Sequence, residues 1–206
     1  MIKTDSKGDA QKEKIVRIAR EMFATNGFEA TTTRKINQEA GIAEGLMYYY
    51  FPHGKRQILD TIVYEGVMAR LSKAKFVFQN INSAADLETA LMASFENIWA
   101  SFDDEQLYQS FMITVRERPL LSDKQANWLL DTLDNLRKQL GDGLANMTGT
   151  FKIPAESTQT LAQVLLAIYQ KVIYDQLLIK NDRQLDDKMA QTMRPQIALL
   201  LSSVSD

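Results

Sequence analysis

At 206 residues the chain has room for one ordinary domain, or for a small domain joined to a larger one. Its 45% hydrophobic and 24% charged residues are the balance of a folded globular protein, which excludes a disordered chain, and the lack of cysteine excludes disulfides and thiolate metal sites. A net charge of −2 excludes a broadly basic, nonspecific nucleic-acid binder.

Charge is unevenly spread. The first sixty residues hold 10 Lys and Arg against 8 Asp and Glu, a net of +2, and the remainder carries −4. A mildly basic head on an acidic body suits a protein whose phosphate contacts are confined to one end. Nine glycines and four prolines leave long stretches unpunctuated, which favours helices over many short strands. The start of the chain, Met1 to Lys14, is polar and lacks the apolar stretch of a secretory signal. Apolar runs such as Val164 to Tyr169 are too short to span a bilayer. The expected location is the cytoplasm, with no membrane partner, no cofactor and no metal.

The first predicted helix runs from about Ala10 to Thr25. Ile15, Ile18, Ala19, Met22 and Phe23 form one apolar stripe, Gly27 ends the helix in the left-handed region, and Phe28 folds back on Phe23. Thr32 is the expected N-cap of a short second helix, Thr33 to Ala40, which buries Ile36 and Ala40 and stops at Gly41. A third helix, Glu44 to Phe51, is closed by Pro52. At helical spacing Met47, Tyr50 and Phe51 share a face that packs on the first two helices. Gly45 and Tyr49 point the other way, with Leu46 and Tyr48 on the flanks. Two short helices around an Ala-Gly-Ile turn, the second exposing a small residue and tyrosines, describe a helix-turn-helix. The small Gly45 allows close approach to a duplex. Tyrosine hydroxyls and the helix N-termini offer donors to phosphate.

The stretch Thr31-Thr32-Thr33-Arg34-Lys35-Ile36-Asn37-Gln38-Glu39-Ala40-Gly41-Ile42-Ala43-Glu44-Gly45-Leu46-Met47-Tyr48-Tyr49-Tyr50-Phe51, with Gly54-Lys55 and Ile58-Leu59 after it, resembles the tetracycline-repressor (TetR) family over about residues 10–70. The resemblance implies an all-α fold of about nine helices. An N-terminal helix-turn-helix domain would span 9–70, with its motif at about 32–51, and a larger helical ligand-binding and dimerisation domain would span 71–206. It implies a homodimer on a palindromic double-stranded operator, a repressor released by a small effector, and no enzymatic activity. Carried over by position, Thr32, Thr33, Arg34, Ala43, Glu44, Gly45, Leu46, Tyr48, Tyr49 and Lys55 are the expected DNA-contacting residues, Lys55 as a phosphate clamp. Three positions depart from the family pattern. Ala43 stands where a Ser or Thr cap is usual, at a cost of about 1 kcal/mol. Glu44 suits the helix dipole and can accept from a cytosine amino group, but it repels phosphates. Asn37 replaces the usual Ala and loosens that face.

Beyond residue 55 the pattern remains helical. A fourth helix is expected from Lys55 towards Phe78, a fifth from Ser83 or Asp86, a sixth carrying Leu107 to Val115, and a seventh from Ser122 with Leu129, Leu133, Leu136, Leu140, Leu144 and Met147 in register. Gly141 and Gly143 are expected to bend its far end. An eighth helix, Pro154 to Lys180, is apolar on two sides, by Leu161, Val164, Leu165, Ile168 and Val172 and by Leu166, Tyr169, Ile173 and Leu177. A ninth starts near Asp182 to Gln184, kinks at Pro195 and reaches Val204. Pairing the helices near 155–180 and 184–204 with their copies gives the dimer that the resemblance implies. Phe76, Met92, Phe95, Trp99, Phe111, Met112 and Trp128 are candidate lining for a hydrophobic effector, and for any one of them a plain core role is the stronger reading. His53 reads as a surface residue. Asp103-Asp104-Glu105 and Asp186-Asp187 read as helix caps rather than metal sites. An all-helical enzyme and a protein-binding adaptor with a merely structural helix-turn-helix are the competing functions. The first lacks the parts, with one histidine, no cysteine, no Gly-rich phosphate loop and no pair of carboxylates at a plausible spacing.

Overall fold

A computed structural model describes residues 6–185 and 187–203, so Asp186 and Val204 lie outside the described residues. Among the described residues the regular structure is helical: α1 (Ser6–Asn26), α2 (Thr33–Ala40), α3 (Glu44–Tyr50), α4 (Gly54–Lys73), α5 (Ala84–Trp99), α6 (Glu105–Arg116), α7 (Asp123–Ala145), α8 (Thr158–Ile173) and α9 (Asp187–Ser202). Backbone contacts divide the chain into two compact units, Met1–Arg70 with Asp104–Ala126, and Leu71–Asp103 with Asn127–Asp206. The unit that carries the helix-turn-helix is therefore larger than segment 9–70, because it takes in α6. The chain leaves it after Arg70, returns at Asp104 and leaves again after Ala126.

In the first unit Ile15, Ile18, Ala19 and Phe23 of α1 are buried together with Ile36, Ala40, Met47, Phe51, Ile58, Leu59, Ile62 and Val63. This is the expected stripe. Met22 is only half-buried, and Val16 and Arg20 join the covered face. Phe28 folds back on Phe23 with ring centres 5.2 Å apart. α6 packs along α1. Asp104 caps it by accepting from the amides of Gln106 (2.9 Å) and Leu107 (3.1 Å), as the helix-cap reading of this acidic run requires. Gly66 brings α4 close to α6: a Cβ there would stand 2.4 Å from the Ser110 Cβ.

In the second unit the aromatic side chains of Phe95, Trp99, Phe102 and Tyr169 stack in a chain of tilted and edge contacts 5.1–5.9 Å between centres. The Tyr169 hydroxyl donates to the Leu91 carbonyl at 2.7 Å. Helices α5 and α8 both pack on α9. Pro195 lies inside α9.

Several expected boundaries and faces are corrected. α4 ends at Lys73 and not at Phe78, because the Phe78 carbonyl and both backbone groups of Ile81 bond to residues 148–151 instead. α9 starts at Asp187 and not near 182. Asn181 turns left-handed there (φ 54°), and the Trp99 indole N–H donates to the Arg183 carbonyl at 3.0 Å, which holds 181–185 out of a helix. Gly141 and Gly143 serve close packing: a Cβ at Gly141 would fall 2.4 Å from the Gln159 side chain, and one at Gly143 3.2 Å from Phe78. Of the predicted α7 stripe Leu140 and Leu144 are buried, as is Met147, which lies past the end of the helix; Leu129 and Leu136 are partly covered and Leu133 is exposed. On α8 the covered side is Leu161, Ala162, Leu165 and Tyr169, a different division from the two predicted stripes. Beyond Ile173 the same rod continues as π-helix over Tyr174–Lys180.

Candidate nucleic-acid interface

α2 and α3 owe their orientation to short-range chemistry. Thr31 is fully buried, and its hydroxyl donates to the Gly27 carbonyl at 2.8 Å, closing the turn after α1. Thr32, in extended conformation, caps α2 by accepting from the Lys35 amide at 3.2 Å. Gly41 takes φ 64°, a left-handed conformation in which glycine avoids the Cβ clash, and the Ile42 amide donates back to Asn37 at 3.0 Å. Asn37 is buried and its Oδ1 has no hydrogen-bond partner, so this departure leaves a polar atom uncompensated in the α2 face. Ala43 supplies no side-chain cap to α3.

The faces of α3 are sharply different. Met47 and Phe51 have no exposed surface, whereas Tyr49 is 75% exposed and Tyr48 43%. Tyr50 is half-buried and meets Tyr49 edge-on at 5.1 Å. A Cβ built on Gly45 meets nothing within 4 Å. Thr32, Arg34, Ala43, Glu44, Gly45 and Leu46 are exposed and Thr33 half-exposed, so the structure leaves this whole set accessible around Tyr48 and Tyr49.

Lys55 is placed differently from a free phosphate clamp. Its Nζ donates to the Phe28 carbonyl at 2.7 Å and lies 4.0 Å from the centre of the Phe28 ring. A lysine keeps two further donors. The internal partner sits 27 residues away, and no local sequence pattern announces it. His53 is exposed, in line with a surface role.

The residues expected to line an effector site are divided between the two units. Met92, Phe95 and Trp99 are buried in the second unit, two of them inside the aromatic stack. Phe76 and Trp128 are half-buried in that unit, while Phe111 and Met112 are half-buried in the first. None of them lines the open cleft of about 500 Å³ in the first unit, which is bounded by Ala10, Glu13, Lys14, Val16, Arg17, Arg20, Glu65 and Gln106. Within it Arg20 is buried and donates to Gln106 at 2.7 Å, while its Nε has no partner. Burial holds the Arg20 guanidinium below its usual range, and burial pushes the Glu65 carboxyl up. Among the described residues no three His, Cys, Asp or Glu side chains are grouped to hold a metal ion, and no helix is long and apolar enough to cross a membrane.

A helical unit that presents a capped two-helix reader, with one face of the second helix anchored and the other bare, defines the helix-turn-helix class of DNA-binding domain. Residues 15–62 match the model described as "Bacterial regulatory proteins, tetR family". Over that segment the chain is similar to the tetR family. It is 33% identical over 101 residues to the HTH-type transcriptional repressor KstR2 of Rhodococcus jostii, covering 48% of each chain. It spans about half the length of the curated relatives it matches. Those relatives are named as transcriptional regulators, not enzymes. Among solved structures it is similar to Salmonella enterica GusR (TM-score 0.62, 22% identity, 94% of this chain and 96% of that one). It is also similar to AibR, solved with isovaleryl coenzyme A and operator DNA (TM-score 0.59, 16% identity, 90% and 97%). At these identities the likeness is one of fold.

Proposed function

We propose that the chain is a ligand-responsive transcriptional repressor that binds a palindromic operator as a homodimer and is released by a small hydrophobic effector. The observation that carries this reading is the two-sidedness of α3: Met47 and Phe51 lock one face into the core, and Gly45 and Tyr49 leave the other open to a major groove. In this reading 9–70 is the DNA-binding domain and 71–206 the ligand-binding and dimerisation domain. Thr32, Thr33, Arg34, Ala43, Glu44, Gly45, Leu46, Tyr48, Tyr49 and Lys55 form the contact surface.

The pairing surface is assigned to α8, its π-helical continuation and α9. Val164, Tyr174 and Leu199 are exposed there at 39%, 52% and 73%, an apolar cost that a second copy removes. Phe76, Met92, Phe95, Trp99 and Trp128 of the second unit are assigned to the effector; this part of the reading leans on the family resemblance. The two tryptophans of the chain are both among them, so an effector titration is followed by intrinsic fluorescence.

Selection of bound duplexes from a random-sequence pool at stated salt tests the function. The expected product is a palindrome whose half-site centres lie about one helical turn, ~34 Å, apart or a multiple of it. A pool that stays unenriched contradicts the reading, and binding of protein partners in its place would favour the adaptor.

A further inference from the structure

Phe28, in the turn between α1 and α2, is held from several directions at once. Lys55, in the first turn of α4, takes its carbonyl and covers its ring, and Phe23 packs on that ring. Its amide donates to the Glu117 carboxylate at 3.2 Å, across 89 residues of sequence. Glu117 follows the last residue of α6 and is buried. The same carboxylate oxygen accepts from Arg116 Nε at 3.0 Å. The Arg116 guanidinium then donates to two carbonyls in the last turn of α1, Ala24 at 3.2 Å and Phe23 by a close contact.

Two adjacent side chains of opposite charge thus join the end of α6 to the end of α1 and to the first turn-forming residue before the reader. Helix termini leave backbone groups that need partners, and here a distant helix supplies them. Among the described residues the Glu117 carboxylate is the hydrogen-bond acceptor for the amide of Phe28, a buried residue. Removing it strands a donor away from water. α6 also belongs to the reader's unit by contact, while the chain on both sides of 104–126 belongs to the other unit.

We infer that Arg116 and Glu117 are positioning residues for operator binding: they lock the α1–α2 turn in the geometry in which α2 and α3 address DNA. This inference rests on the DNA-binding reading above. It adds a second mechanical input to the reader, through α6, beside the covalent one through α4. Opening the clamp lowers the fraction of chains with a competent reader, and apparent affinity falls by that fraction.

The test uses the full chain, the duplex selected by the wild type and a scrambled duplex of equal length. Glu117→Ala and Arg116→Ala are expected to weaken binding of the selected duplex about tenfold. Affinity for the scrambled duplex should stay unchanged, which a simple loss of folded protein would not allow. The double variant should lose no more than the worse single one, because the two act as a unit. Amide exchange at Phe28 should accelerate in both, and Lys138→Ala, which removes a surface ion pair on α7, should alter none of these readouts. If Glu117→Ala does not fold, Glu117→Gln carries the test: it keeps an acceptor for Phe28 but loses the charge for Arg116, and an intermediate loss is expected. Selected-duplex affinity within twofold of wild type in variants whose Phe28 amide exchanges faster overturns the inference alone. So does an unchanged Phe28 exchange rate. A wild type that enriches no sequence overturns the DNA-binding reading and the inference with it.

Discussion

The ammonium of Lys55 lies 2.7 Å from the Phe28 carbonyl oxygen and 4.0 Å above the Phe28 ring, so a residue expected to serve DNA also serves the fold. A charged hydrogen bond and a cation–π contact at a half-buried site together contribute on the order of 1–2 kcal/mol. Lys55→Met keeps the aliphatic stem and removes both. Urea unfolding should show a loss of that size, and the salt slope of operator binding should fall by roughly 1 through the lost phosphate contact. A stability loss with an unchanged slope would assign Lys55 wholly to the turn.

Tyr49 stands at the opposite extreme, three-quarters exposed with one edge contact to Tyr50. Tyr49→Ala should leave thermal stability within about 0.5 kcal/mol and weaken operator binding about tenfold. Tyr49→Phe separates ring from hydroxyl: retention of most of the affinity assigns the contact to apolar packing on a base, and loss assigns it to a hydrogen bond.

Ala43 occupies the N-cap of α3 in extended conformation (φ −74°, ψ 151°) with no side-chain bond to the helix. That backbone already suits a capping hydroxyl. Ala43→Ser should raise the unfolding free energy by about 1 kcal/mol in a urea titration.

Much of the reader was legible in the amino-acid order because its determinants are local. The α1 stripe, the Thr32 cap, the left-handed Gly41 and the Met47–Tyr49 division follow from helical spacing and turn chemistry within a few residues. What escaped depends on partners far away in sequence. The end of α4 is set by residues 148–151, the late start of α9 by Trp99, and the glycines of α7 by Gln159 and Phe78. The Glu117 clamp on Phe28 belongs to the same class. The proposed effector lining is the least legible part, since an aromatic cluster that fills a core has the composition of one that lines a pocket.

In the second unit, Tyr169 gives a pH signature. Burial pushes its phenol well above the ordinary tyrosine value of about 10, and its hydroxyl donates to Leu91 at 2.7 Å. The protonated form is the one the fold favours. Its contribution is therefore complete below pH ~10 and is lost as pH climbs past that value, where the unfolded chain ionises and the folded one does not. Tyr169→Phe should cost about 1 kcal/mol at neutral pH. The gap between wild type and variant should shrink on alkaline titration of the unfolding free energy.

The central claim is that the open face of α3 lies in the major groove of a duplex. The chain has no cysteine, so Leu46→Cys, on the flank of that face, gives a single attachment point for an iron–EDTA cleavage reagent. On a labelled, selected operator the reagent should cut in two clusters, one in each half-site, while the same reagent at Leu130→Cys on the exposed side of α7 cuts far less. Cleavage that is no stronger from position 46 than from position 130, on DNA that the labelled protein demonstrably binds, would contradict the claim.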